Sequence, residues 1–428
     1  MPSNFPNDPY APNYVLLVND GIALSDTMMR MVKSVKFEDE SNCIGSIVFS
    51  LVYQLNVVGG LSNSILYNKL FVPGNKITLR GGYGNELIDI GAGFIREIEP
   101  SFNEDSPPEL KIICYDRLHN LTLTKSVTGR YWPSSWRDSQ IATFIGSEGG
   151  FTIEKTNTAS LTGIRKTRQR NGEAPRIQKV GESNYDFLKS LADQNGFELS
   201  CGYDDKSKKF RLFFEPHRDM SKPIFNFEYG NPSTYQVTID PNTGNPVGTL
   251  ISFMPKFSIT TQFTKFMAQY TDDNGQPVVA TMTLGDFIDT DEHSIKLGGL
   301  FTEELLKAKR TKSSASIQKT AYGELVEMVS TKIFPNKRMA NEYLKMHMRQ
   351  LVRDYVTGVA KVKGNQYIRS RQTHYFSGLG PFFDGIYYVK RATHVFSPEG
   401  YDVEMEVSKV TEESKIDASS YVDISNLA

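Results

Sequence analysis

The stretch from Val180 to Leu199 (VGESNYDFLKSLADQNGFEL) constrains this chain most. It packs a strand end, a capped helix and the start of a second strand into one short span. Ser183 stands where a helix start needs a side-chain oxygen for its orphan backbone N–H groups. Asp186, three positions on, makes a weaker form of the capping box. Phe187, Leu188, Leu191 and Ala192 form one apolar stripe at helical spacing. Gly196 supplies the left-handed exit that ends such helices. Phe197 and Leu199 then alternate as strand residues do. The pattern predicts a helix over 184–194, opening at Asn184, with its apolar face buried.

At 428 residues the chain is long enough for two or three domains with ordinary cores. Its 48 basic and 49 acidic residues leave a net charge of −1, which gives no general affinity for nucleic acid or an anionic membrane. Cys43, Cys114 and Cys201 lie far apart in apolar or alternating contexts, so buried free thiols are expected rather than a disulfide framework. No apolar run reaches the roughly 18 residues of a membrane helix, so no membrane insertion is expected. The opening MPSNFPNDPYAP has no basic and apolar leader, so no secretory signal is expected and assembly in cytoplasm fits. Aromatics make up 11% of residues, a content that favours strands and interfaces over a helical bundle.

Short strands broken by Gly and Pro fill the N-terminal third: Tyr14–Val18, Ser46–Leu55, Lys76–Arg80, Phe94–Ile98 and Leu110–Tyr115. This spacing suggests a barrel or sandwich. Composition shifts at Arg130, ahead of a helix expected near Asp138–Gly146, with Ile141, Phe144 and Ile145 apolar. The stretch Asn157–Pro175 is polar and basic and reads as a loop. Further on, Thr249–Thr261 and Val278–Thr283 read as strands. Leu344, Met348, Leu351, Val352 and Tyr355 make a helical stripe. Ile386–Phe396 and Tyr401–Val410 then predict a hairpin across Ser397-Pro398-Glu399-Gly400. In its second arm Val403, Met405 and Val407 alternate with Asp402, Glu404 and Glu406, so one face should be buried and the other wet.

The helix stretch resembles the "ESDWDFLxxLAxxxGF" signature of the phage late-control D family, the hub proteins of contractile phage tails and related injection systems. Other segments follow that family's order. Gly74 to Tyr83 is similar to its "GDxVxIxxGY", Gly91–Ile98 to "FxGxIxxI", and Leu110–Leu121 to "xVxxYDxLxxL". Gly364 to Arg369 is similar to "xGNxxIxxGxxV", and Phe383–Val389 with His394–Val407 to "fdGxYyVxxvxHxfsxxGYxTxxEv". Three departures stand out. Asn75 replaces an acidic residue, Arg369-Ser370-Arg371 departs from the usual glycine-containing turn, and 300–364 holds a longer insertion.

The resemblance implies a mainly β chain with α insertions. It implies two tail-tube-like β-barrel modules in one chain, three copies of which form a pseudo-six-fold trimeric ring. The expected division places the first barrel in 1–128 plus 208–230 and an α/β insertion with the motif helix 184–194 in 129–207. The second barrel takes 231–299 plus 365–411, a helical insertion 300–364, and a polar tail 412–428. Closed barrels also remove sheet edges that invite wrong pairing. The residues expected to carry the structural motif are Ser183, Asn184, Phe187, Leu188, Leu191, Gly196, Gly385, Gly400 and Tyr401.

No catalytic, cofactor or metal site is expected. His119 beside Asp116 could do acid–base work, but such a pair is more often a turn with local hydrogen bonds. His394 reads as a satisfied structural histidine. The histidines and cysteines make no ligand spacing. Gly81-Gly82-Tyr83-Gly84 lacks the lysine of a phosphate loop and reads as a turn needing positive φ. Arg165, Lys166, Arg168 and Arg170 could touch an acidic partner, with a solvated loop as the default.

The resemblance thus implies a structural hub that adapts a six-fold tail tube to a three-fold central spike and forms part of the channel. It implies a homotrimer. The tube and spike proteins are its partners, with tape-measure and baseplate wedge proteins as further candidates. DNA passes through without being specifically bound. The expected place is the tail baseplate of a virion, or a phage-derived injection particle. Two rival readings are a tail-associated cell-wall or polysaccharide hydrolase and a carbohydrate-binding β protein. The first needs a facing pair of carboxylates that no segment supplies, and no motif supports the second.

Overall fold

Alternating apolar residues carry most of the described chain into strands. In Ser46–Val52, Ile47, Phe49 and Leu51 are buried while the residues between them are half-buried. Each such burial contributes about 1.5–3 kcal/mol. The computed structural model describes residues 11–52, 70–133, 135–158, 176–218, 222–230, 238–239, 246–257, 263, 265–283, 326–334, 336–353, 356–380 and 383–411. Arg165, Lys166, Arg168 and Arg170, most of the expected loop 157–175, residues 300–325 and the tail 412–428 lie outside them. Among the described residues no helix is long and apolar enough to cross a membrane.

The N-terminal part holds β1 (Pro12–Val18), β2 (Ile22–Ala23), α1 (Asp26–Met31), β3 (Val32–Glu40), β4 (Ser46–Val52), β5 (Lys76–Tyr83), β6 (Glu86–Ser101), β7 (Glu109–Tyr115) and α2 (Leu118–Leu123). Its strands form one antiparallel run in the order β1-β5-β6-β7-β4-β3, with β2 on the outer side of β1.

The next part holds β8 (Arg130–Trp132), α3 (Asp138–Glu148), β9 (Thr152–Lys155), β10 (Arg176–Gln178), α4 (Asn184–Asn195), β11 (Phe197–Asp204) and β12 (Lys209–Pro216). β12 pairs antiparallel with β11 and parallel with β9, and β8 pairs with β10. A separate core forms here from Trp132, Ile141, Ile145, Phe187, Leu188, Leu191, Leu212 and Phe214, among others.

The C-terminal part holds β13 (Asn226–Tyr229), β14 (Thr238–Ile239), β15 (Pro246–Phe257), β16 (Lys265–Thr271), β17 (Pro277–Thr283), β18 (Val326–Phe334), α5 (Lys337–Arg353), β19 (Val356–Lys363), β20 (Thr373–Ser377), β21 (Gly385–Ser397) and β22 (Gly400–Thr411). Six of these close a barrel, β21-β20-β13-β15-β19-β22 and back to β21. All its pairings are antiparallel except those of β13. β16, β17 and β18 form a small sheet of their own, covered by α5 through Ala340, Leu344 and Met348. The side chains of Leu351 and Val352, and the whole of Tyr355, lie outside the described residues.

The molecule is mainly β with a closed barrel. Several strands lie elsewhere than expected. The strands of 208–230 do not close the first barrel: β12 joins the insertion and β13 joins the closed barrel. The reason is β12's own alternation. Phe210, Leu212 and Phe214 are buried in the core that holds the residues of α3 and α4. The stretch 300–364 is not simply helical, since it contains β18 and the barrel strand β19. Of 231–299, β15 enters the barrel while β16 and β17 stay outside it.

The final hairpin joins the run to the barrel. The first half of β21 pairs with β20, and its second half pairs with β3, from Arg391↔Glu40 to Phe396↔Val35. Its tip lies against β1 and β5. The Tyr14 and Phe396 rings are 5.1 Å apart, and Phe396 stacks on Tyr401 at 4.0 Å. A Cβ on Gly81 would sit 2.6 Å from the Phe396 ring. Gly81 and Gly82 are therefore strand positions that need close approach, and only Gly84, at φ 53°, makes the expected turn. One continuous core runs from Leu16 and Ile77 in the run to Val403 and Met405 in the barrel.

Candidate functional site

The parts of the fold meet, among the described residues, round one loop, residues 364–372. This loop follows β19. Gly364 accepts a hydrogen bond from Tyr83 Oη at 2.8 Å and lies under Tyr401, whose ring leaves no room for a Cβ. His394, fully buried, sets one ring nitrogen 2.7 Å from Tyr401 Oη and the other 2.9 Å from the Ile368 carbonyl. It is a satisfied structural histidine, as its strand context predicts. Asp39 at the end of β3 accepts from Ser370, at 2.8 Å from the backbone N–H and 2.9 Å from the hydroxyl.

Arg371 is the centre of the junction. It takes φ 65°, a left-handed conformation in which glycine is ordinary. It occupies the glycine position of the family pattern matched by Gly364-Asn365 and Ile368. Its Nε donates to Glu198 Oε2 at 3.0 Å, and its Nη2 pairs with Glu215. The guanidinium lies 4.1 Å over the Phe213 ring. Glu198, 0% exposed on β11, also accepts from Ser41 Oγ at 2.7 Å and from Tyr388 Oη, and it contacts His217. Burial alone would push its carboxyl up. The His217 and Arg371 charges and the hydrogen bonds from His217 and Tyr388 hold it well below the usual carboxylate range.

Five segments therefore converge on one buried node: the β3 turn at Ser41, β11, the end of β12, the 364–372 loop and β21. Asn42 adds to the clamp. Its Oδ1 accepts from Leu199 N–H at 2.9 Å, and its own N–H donates to Ser200 at 3.1 Å. A second contact ties the β11–β12 turn to the run. Lys208 Nζ lies 2.6 Å from the buried Asp89, which Arg80 also pairs at 2.8 Å. Lys76 Nζ lies 4.5 Å over the Tyr203 ring.

These carboxylates are held by fixed donors, and the arrangement locks parts together. The Asp116 carboxylate beside His119 is likewise held by fixed donors. Asp116 accepts from Gly45 and Leu118 backbone N–H groups, each at 2.8 Å, and so caps the start of α2. Burial pushes its carboxyl up to about 7 against those two hydrogen bonds. Cys114 is buried, Cys43 and Cys201 are half-buried, and all three are free.

The residues singled out in the sequence fall in two places. Ser183 caps α4, accepting from Asp186 N–H at 3.0 Å, and Asn184 Oδ1 accepts from Gln178 at 2.9 Å. Phe187, Leu188 and Leu191 are buried in the insertion core. Gly196 exits at φ 69°, with Met346 of α5 2.8 Å from where its Cβ would stand. Gly385, Gly400 and Tyr401 belong to the final hairpin. Glu198, Glu215, His217 and Asp89 carried no signal in the alternation. The one available sign was an arginine at a glycine position, Arg371.

Neither a protein-family model nor a curated protein sequence matches the chain. Its fold is that of solved phage tail proteins. It is similar to the tail protein from Neisseria meningitidis MC58, with TM-score 0.55 and 9% identity over 94% of this chain and 97% of that one. It is similar to the 43 kDa tail protein of prophage MuSo2 from Shewanella oneidensis, with TM-score 0.55 and 13% identity over 94% and 99%. It is also similar, with TM-score 0.50 and 8% identity over 95% and 78%, to the E. coli c3393 protein. That protein is a component of the type VI secretion system with structural similarity to the T4 tail proteins gp27 and gp5.

Proposed function

We propose that this chain is a structural hub of a contractile tail baseplate. Three copies form a ring, and each contributes two tube-like modules, the strand run and the closed barrel. Six similar modules then face the tail tube, and the three-fold side faces the central spike. The spike and tube proteins are direct partners, and tape-measure and wedge proteins are candidates for the outer surface. The modules line a channel through which DNA passes without being held, and the chain resides in the tail baseplate of a virion or of a phage-derived particle. The role needs no catalytic step.

The observation that carries this reading is the extent of the fold likeness, which spans 94% of this chain and 97–99% of two tail proteins. The near-zero net charge supports passage rather than retention of DNA, since each phosphate neutralised adds a salt-sensitive grip. The buried node at Glu198 and Arg371 supports a mechanical role, because it fixes the parts against one another. The test is reconstitution with contractile-tail tube and spike proteins, followed by particle imaging. Rings with a three-fold axis joined to both partners are expected. A chain that binds neither, or that clears purified cell walls on its own, contradicts the proposal.

A further inference from the structure

The β6–β7 hairpin projects from the run. Residues 101–107 at its tip are all exposed, and Phe102 shows 60% of its surface. A large apolar side chain exposed just beyond the end of β6 is a peg in search of a socket. Glu104 and Asp105 follow it at the turn, and neither has an ion-pair partner among the described residues, whereas Glu99 and Glu109 are paired by Lys111 and Lys33.

The complementary feature lies elsewhere on the chain. A cleft of about 700 Å³ opens between α5 and the β16–β17 strands, with Tyr270 and Met282 among its lining and three cations, Lys337, Arg338 and Lys345, against one acid, Glu342. Lys337 and Arg338 have no ion-pair partner among the described residues, and Lys345 pairs only loosely with Glu342, at 3.8 Å. The first turn of α5 contains no acidic residue. Two cations there oppose the helix dipole, so incoming carboxylates gain from the cations and the dipole together.

We propose that the Phe102 tip of one copy docks in the α5 cleft of the next copy. The ring enters beside Tyr270, and Glu104 and Asp105 meet Lys337 and Arg338. The tip is exposed in the single chain, so the contact joins copies. It uses two different patches, a head-to-tail contact that closes a ring when the rotation allows. Charge complementarity between the two patches is what selects a second copy as the occupant. The proposal rests on the trimer reading above and names its interface.

The test measures the mass of the full chain in solution over a range of concentrations. Phe102→Ala, the pair Glu104→Lys with Asp105→Lys, and the pair Lys337→Glu with Arg338→Glu should each weaken self-association by about tenfold or more. Combining the two charge reversals should restore it, which a general loss of folding would not. Trimers of undiminished affinity in every variant would overturn this contact and leave the trimer reading standing. A wild-type chain that stays monomeric would overturn both. Separately, Asn103→Cys and Asn341→Cys chains are mixed and oxidised. A disulfide between the two chains supports the contact, and its absence from an intact trimer overturns it.

Discussion

The strand run and the closed barrel contribute six main strands each, yet they are completed in different ways. The barrel is closed by backbone pairing all the way round, with β22 returning to β21. Within the run, β1 and β3 are not paired with each other among the described residues. Aromatic side chains from the hairpin tip, Phe396 and Tyr401, pack against β1 and β5 there. Backbone closure gives a self-contained unit. Side-chain closure makes the run depend on the C-terminal half of the chain. The Glu198–Arg371 node then ties both to the insertion. The difference teaches where the molecule should yield first: at the side-chain joints, with the barrel ladder surviving longest.

The largest expected effect comes from the node. Arg371→Ala takes from the buried Glu198 its guanidinium partner and leaves only the His217 contact, a loss of about 3–5 kcal/mol. Left-handed strain at a non-glycine residue costs about 1–3 kcal/mol, so Arg371→Gly should be milder than Arg371→Ala but still destabilising. Urea unfolding of both variants decides this, and a glycine variant more stable than wild type by about 1–3 kcal/mol would show that the bridge contributes nothing. Phe396→Ala should cost about 3–5 kcal/mol. Hydrogen exchange should then quicken in β1 and β5 while β15 and β19 stay protected, and uniform quickening would break the distinction drawn here.

Next in size, Leu188→Ala and Leu191→Ala should each cost about 2–5 kcal/mol, depending on how far the insertion core collapses. Thermal unfolding reads this, and unchanged midpoints would contradict the packing. Acid supplies a sharper contrast. Burial pulls His374 and His394 down to about 3. Below about 6.5 the unfolded chain binds protons that the folded chain refuses. Stability therefore falls as pH drops from about 6.5 toward 3, by about 1.4 kcal/mol per pH unit for each histidine. Asp116 has the opposite sign. Its raised folded value makes the folded chain hold the extra proton, so its contribution declines as pH rises from the usual carboxylate value to about 7.

His374 stands between Phe225 and Phe227, with neither ring nitrogen hydrogen-bonded among the described residues. His374→Phe should therefore raise stability at pH 5 by about 2 kcal/mol relative to its effect at pH 7. Unfolding curves at the two pH values check this, and an equal shift at both would contradict it. The smallest effect belongs to the exposed Lys33–Glu109 pair. Lys33→Ala should change unfolding free energy by less than about 1 kcal/mol.

What could be read in advance follows from range. The helix α4 carries its own cap, stripe and exit within one short span, so its sequence predicts it nearly to the residue. The final hairpin is likewise local, with its alternation intact through Val403, Met405 and Val407. The pairing of β12 was illegible because its alternation says which residues are buried but not against what. Glu198 was illegible for a related reason. It lies between Phe197 and Leu199, where alternation assigns a wet face, but the side chains of Tyr388 and Arg371 cover that face. Arg371 did leave a trace, as a charged residue at a glycine position, but its partners are 173 and 156 residues away in sequence.

Mass in solution tests the proposed trimeric hub most directly. Native mass measurement of the purified full chain, alone and with the spike and tube proteins, should give a species about three times the 48.2 kDa chain mass that takes up both partners. A monomer or a two-fold dimer under all these conditions would contradict the account.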